Sequence, residues 1–177
     1  MCKEHFYPKL ETQFNIEAIK AYDQALSVLK DKSTKVILAI TSWVAKALKK
    51  KNLPLKEYMK RGGTLLCCGQ FSNTIKPLET NDFFDRIGFP WVFGSYCLVE
   101  DQHNPGFSHL QLPNLPEIFS VKATRLLNVD FQEKLFYPAI GSLVQSKVFP
   151  TDPLKDPEHA SVARAKLGKD SLDMSVT

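Results

Sequence analysis

The chain has 177 residues, 44% of them hydrophobic and 24% charged, close to the average of a folded domain. That composition excludes a disordered polymer, and the longest apolar run, Val36 to Ile40, is too short to cross a bilayer. Twenty-three Lys and Arg against 19 Asp and Glu leave a formal charge of +4, mildly basic and short of a dedicated nucleic-acid-binding domain.

One domain over residues 1–177 is expected, large enough to bury roughly 70% of the surface its unfolded chain exposes. The opening "MCKEHFYPKL" lacks the apolar stretch of a secretory signal, so a cytoplasmic location with no membrane partner is expected. Cys2, Cys67, Cys68 and Cys97 form no regular framework and read as reduced thiols.

In "NIEAIKAYDQALSVLK", Ile16, Ile19, Leu26 and Leu29 share one helical face, with Asn15 placed to cap the start. "KVILAI" then reads as a strand buried on both faces. Ser42 precedes the helix "WVAKALKKK"; a second helical piece, "LKEYMKR", stops at Gly62, and "TLLCC" is the next buried strand. Helix, strand, helix, strand in this order predicts an α/β domain with parallel strands joined by crossover helices. Ligands of open parallel sheets sit beyond the carboxyl ends of the strands, which here are Thr41 and Ser42 after the first strand and Gly69 and Gln70 after the second.

"NDFFDRIG" predicts a short helix stopped by Gly88. Beyond it, "GSYCLVE" reads as a strand and "DQHNPGFSHLQLPNLPE", with three prolines, as a long surface loop. "IFSVKATRLLNV", "KLFYP", "SLVQSKVF" and "SVARAKL" follow as short β segments, and "AKLGKDSLDMSV" as a terminal hairpin turning at Gly168 and Lys169. The second half is therefore strand-rich and of antiparallel type.

Cys68 stands where a strand gives way to a turn, an address at which helix amides can activate a thiol if a histidine takes its proton. His5, His103, His109 and His159 all fall in a terminus or in loop-like stretches. Small buried hydrophobe is the plainer reading of Cys67 and Cys68. Cys2 and His5 make at most half a zinc site, because a closed site needs four ligands, and no metal or other cofactor is expected. Lys46, Lys49, Lys50, Lys51, Lys56, Lys60 and Arg61 form a basic segment that could meet phosphates; a solvated helix face explains it as well, and nucleic acid is not the expected partner. Phe83, Phe84, Phe89, Trp91 and Phe93 read as core rather than as a base-stacking platform. No phosphate-binding loop follows a strand.

Taken together, "LKEYMKRGGTLLCCGQFSN", "FFDRIGFPWVFGSY", "FSVKATRLLNV" and "ARAKLGKDSL" resemble a fungal group of the class I glutamine amidotransferase-like superfamily. The matching elements are Gly62 and Gly63, Pro90 and Trp91, Gly94 and Tyr96, Ser120 with Lys122 and Ala123, and Gly168 with Lys169, within residues 14–172. The resemblance implies a three-layer, flavodoxin-like parallel sheet core with a β-rich C-terminal half, cut short at both ends relative to that group. It departs from the catalytic pattern: Leu66 stands where the nucleophile turn has its first glycine, His159 is followed by Ala160 and Ser161, and Asp170 and Asp173 replace glycines. The expected function is thus a non-catalytic binding or scaffolding domain, a pseudoenzyme with a small-molecule or protein partner. The alternatives are a hydrolase using Cys68, closed over by His103 or His109, and phosphate or nucleic-acid binding through Lys46 to Arg61.

Overall fold

The computed structural model describes residues 11–107, 115–145, 158–167 and 173–176. Helix α1 (Tyr22–Lys30) is shorter than the periodicity predicts and starts after Ala21 rather than at Asn15. The Gln24 side chain explains the difference. Its Oε1 accepts from Lys20 N at 3.0 Å and its Nε2 donates to Glu17 Oε1 at 2.7 Å, so residues 17–20 fold back over the helix start. Ala25 and Leu29 carry the buried face.

Strand β1 (Val36–Ala39) leads into α2 (Trp43–Lys51), α3 (Leu55–Lys60) and β2 (Thr64–Cys67). The two strands pair in parallel, Val36 with Thr64 through Ala39 with Cys67, the arrangement a crossover helix permits. Helix α3 ends where Gly62 adopts φ +89° and donates to the Met59 carbonyl at 2.9 Å, which is the stop expected of it. The short α4 (Phe71–Thr74) and α5 (Pro77–Ile87) follow. A proline in the first turn starts α5, with Glu79 Oε2 accepting from Lys76 N at 3.4 Å, and Gly88 at φ +93° ends it.

The remaining strands are β3 (Val92–His103), β4 (Ile118–Leu127), β5 (Lys134–Pro138), β6 (Val162–Lys166) and β7 (Asp173–Val176), in the sheet order β1-β2-β7-β6-β5-β3-β4. Strands β3 to β6 pair antiparallel, while β7 lies parallel to β2 and antiparallel to β6. An isolated bridge between Leu126 and Ala160 ties the far edge strand β4 back to the chain two residues before β6. The antiparallel strands thus curl into a half-barrel.

This overturns the flavodoxin-like parallel core. A parallel neighbour needs a crossover of a dozen or more residues, and only β1-α2-α3-β2 supplies one among consecutive strands; beyond α5 the chain returns through hairpin-type connections instead. A second correction concerns the long loop. Asp101, Gln102 and His103 are strand, since β3 runs on for 12 residues and pairs with both β4 and β5. The β6–β7 pairing agrees with the terminal hairpin, whose turn at Gly168 and Lys169 lies outside the described residues. Of "SLVQSKVF", Gln145 bridges to Leu98, and residues from 146 on lie outside them too.

Phe83, Phe84, Phe89 and Trp91 of the aromatic run pack as core, joined by Phe71, while Phe93 is only half-buried. Phe71, Phe83, Phe84, Trp91 and Phe89 form a chain of ring contacts with centroids 4.9 to 5.4 Å apart, and all five are buried. Each ring removes roughly 150–250 Å² from water, the largest single contributions available to a domain of this size. Trp91 also donates its indole N–H to Glu133 Oε2 at 3.1 Å.

Burial pushes the Glu133 carboxyl above its ordinary range, against the indole hydrogen bond that lowers it. The folded state therefore holds this proton more tightly than the unfolded chain. Whatever Glu133 contributes is fully present while both states are protonated and declines as pH rises through the folded-state value. Glu133→Gln keeps an acceptor for Trp91 without the charge, so thermal melts should show the variant gaining on the wild type between pH 4 and pH 7. An equal difference in Tm at both pH values would contradict this.

Candidate functional site

The carboxyl ends of β1 and β2 form one corner, and Thr41, Ser42, Cys68, Gly69 and Gln70 all meet there. The ladder continues past the strands: Cys68 N donates to Ala39 O and Gln70 N to Ile40 O, both at 3.0 Å. Gly69 turns the chain at φ +64°, where a Cβ would make only ordinary contact, so conformation rather than space calls for glycine. Thr74 closes the corner from the other side. Its hydroxyl donates to Gln70 O at 2.7 Å and accepts from Ser42 N at 3.1 Å, while Trp43 N reaches Thr41 Oγ1 at 3.4 Å. The Ser42 and Trp43 amides at the start of α2 are thus already answered from within.

Cys67 points into the core with no exposure, and burial, with Cys68 beside it, pushes its thiol well above the ordinary range. Cys68 is half-buried at the corner. His103 belongs to β3, its ring edge-on to Phe136 at 5.5 Å, and His159 contacts Ser95, both in the antiparallel half. His5, His109 and Cys2 lie outside the described residues.

The basic segment covers the outer side of α2 and α3. Lys46, Lys49, Lys50, Lys51, Lys60 and Arg61 are exposed and Lys56 is half-buried. Some are engaged: Arg61 donates to the Leu29 carbonyl at 2.6 Å, and Lys51 lies 5.6 Å above the Tyr22 ring. Lys49 is 3.9 Å from Asp82, whose carboxyl is held below its ordinary range first by the hydrogen bond from Arg86. Trp43, 40% exposed, shares one helical line with Lys46 and Lys50. Two shallow hollows flank this region. One, of about 230 Å³, is lined by Asp31, Lys32, Tyr58 and Arg61; the other, of about 220 Å³, by Asn52, Lys56, Glu57 and Arg86.

A polar cluster that sequence reasoning missed lies inside the half-barrel. The β3–β4 register slips between Phe93 and Ser95, so Gly94 is an extra residue that turns the following side chains, the kind of bulge found beside working sites. Ser95 Oγ then lies 3.2 Å from His159 Nδ1 and 3.6 Å from Cys97 Sγ. A Cβ on Gly94 would stand 3.1 Å from His159 Nε2 and 3.0 Å from Leu127 Cγ, so the bare backbone leaves room for the imidazole.

Further along the same face, Arg125 Nη1 and Nη2 donate to Asp101 Oδ1 and Oδ2 at 2.7 and 2.9 Å, and neither side chain is exposed. Arg125 pairs in register with Ser95, six positions from Asp101, roughly 20 Å along a flat strand. The ion pair closes only as a chord across the curl. Burial alone would lower the Arg125 pKa; the hydrogen bonds and charge of Asp101, with a smaller contribution from Cys97, hold it above its ordinary value.

No family model, curated protein or solved structure matches this chain. The amidotransferase-like expectation accordingly gains no family support, and the sheet order has already removed the architecture it implied. Among the described residues, no three His, Cys, Asp or Glu side chains gather as a metal ion would need, and no helix is long and apolar enough to cross a membrane.

The missed cluster left one trace in the sequence. From Ser95, alternate residues of "SYCLVEDQH" are Ser95, Cys97, Val99, Asp101 and His103, a strand face that is mostly polar.

Proposed function

We propose that this protein is a non-catalytic binding module whose working surface is the basic face of α2 and α3 and whose partner is single-stranded nucleic acid. The observation that carries this reading is Trp43, exposed and in line with Lys46 and Lys50, with Lys49 alongside. An aromatic face flanked by cations suits bases and phosphates in alternation, because stacking tolerates any base and the ammonium groups track the backbone. The β1–β2 corner supports the non-catalytic part, since its Ser42, Trp43, Cys68 and Gln70 amides serve the fold.

Titrating a short oligothymidylate while following tryptophan fluorescence tests the reading. Trp43 is the exposed one of the two tryptophans, Trp91 being buried, so quenching reports this surface. Affinity should fall with salt, at a slope of roughly −0.7 in log K per phosphate neutralised. Trp43→Ala should weaken binding by about 1–3 kcal/mol. Cys68→Ala should leave it unchanged. Absence of binding at low ionic strength would remove the proposal.

A further inference from the structure

We infer that Cys97 is a hydroperoxide-reactive thiol and that Ser95 and His159 carry its proton away during the reaction. This site is separate from the basic face and does not depend on it. Cys97 is half-buried, reachable by a small molecule yet sheltered by the curl. Three groups converge on its sulfur: the Ser95 hydroxyl at 3.6 Å, His159 through that hydroxyl at a further 3.2 Å, and Arg125. Arg125 is fully buried with both terminal nitrogens committed to Asp101; its Nε–H meets no oxygen or nitrogen acceptor among the described residues, and the further side chain that interacts with the guanidinium is Cys97. A thiol sulfur is a weak acceptor, so a buried guanidinium that has only this sulfur for its third nitrogen would bind an oxygen carried on the sulfur better than the thiol itself.

Size selects the reactant class. Neither of the two hollows described above is lined by Cys97, so neither gives a bulky ester or peptide a way to this sulfur. A hydroperoxide needs none. With His159 in the tautomer that carries its proton on Nε2, Nδ1 accepts from the Ser95 hydroxyl, and Ser95 Oγ accepts from the Cys97 S–H. As the sulfur attacks the terminal oxygen of ROOH, an S–O bond forms and the O–O bond breaks. The thiol proton passes through Ser95 to His159 and is returned to the departing alkoxide, giving ROH. The sulfur loses two electrons and becomes a sulfenic acid, and the peroxide is reduced. The Arg125 Nε–H and the Ser95 hydroxyl then have a sulfenyl oxygen to bind.

The test uses the whole chain treated with hydrogen peroxide in the presence of dimedone, with adducts mapped by mass spectrometry. Cys97 should be labelled at least about tenfold faster than Cys68 in the same molecule, a modest demand on positioned proton transfer. Ser95→Ala should slow labelling of Cys97 by about tenfold, and Ser95→Thr, which restores a hydroxyl, should recover it. Circular dichroism confirms that each variant is folded. Equal or faster labelling of Cys68 would overturn the inference without recourse to any variant. So would an unchanged rate in folded Ser95→Ala.

Discussion

Asp101→Ala is expected to destabilise the protein by about 3–5 kcal/mol, the usual consequence of leaving one member of a buried ion pair alone. Arg125 has no exposure, and Asp101 supplies both acceptors for its terminal nitrogens. Removing the carboxylate strands a guanidinium in an interior that water does not reach. It also cuts the chord between positions six residues apart in the β3–β4 register, so the half-barrel loses a tie as well as a charge. Denaturant unfolding measures the effect. The double variant Asp101→Leu with Arg125→Met should recover most of the loss, because an apolar pair of similar volume carries no desolvation penalty. Full stability in Asp101→Ala alone would mean that the guanidinium finds water, and the buried ion pair would be the wrong description.

Gly63→Ala should cost about 2–3 kcal/mol by overpacking. A Cβ at Gly63 would fall within the Tyr58 ring, which is buried against this backbone and donates its hydroxyl to Thr64 O at 3.3 Å. Neither the α3 helix nor the start of β2 can retreat without giving up core contacts, so the ring must leave. Its phenol reports where it goes. Burial pushes the Tyr58 pKa up to about 12 from the ordinary 10.0, and a displaced ring should titrate close to the ordinary value in the ultraviolet difference spectrum. The neighbouring Gly62 makes the useful contrast. A Cβ there meets nothing within 4 Å, and only the backbone angle of +89° resists substitution. A Gly63→Ala protein as stable as the wild type, with Tyr58 still titrating near 12, would refute the packing argument.

Local patterns in the sequence sufficed to place α2, α3, β1, β2 and the end of α5, because their signals are short-range; but β1 is an edge strand with Val36 exposed rather than buried on both faces, and α5 starts at Pro77, ahead of the predicted Asn81. Apolar spacing, a β-branched run, and glycines at Gly62 and Gly88 that can turn left-handed act within a few residues. The length of α1 was less legible, since Gln24 holds the preceding Lys20 amide with a side chain whose rotamer no pattern encodes. The corner of Thr41, Ser42, Gly69 and Gln70 followed from where parallel strands end, but Thr74 filling it did not.

By itself the sequence determined a folded domain with a parallel strand pair, an aromatic core and a strand-rich second half. Only the tertiary structure decided that β3 to β6 curl, that Arg125 reaches Asp101, and that His159 arrives beside Ser95 and Cys97. The reason is physical. Periodicity assigns a residue to a face, whereas sheet curvature and a bulge at Gly94 decide which distant residues share the space above that face. His159 lies 64 residues from Ser95 along the chain, and nothing local to either of them sets their separation of 3.2 Å.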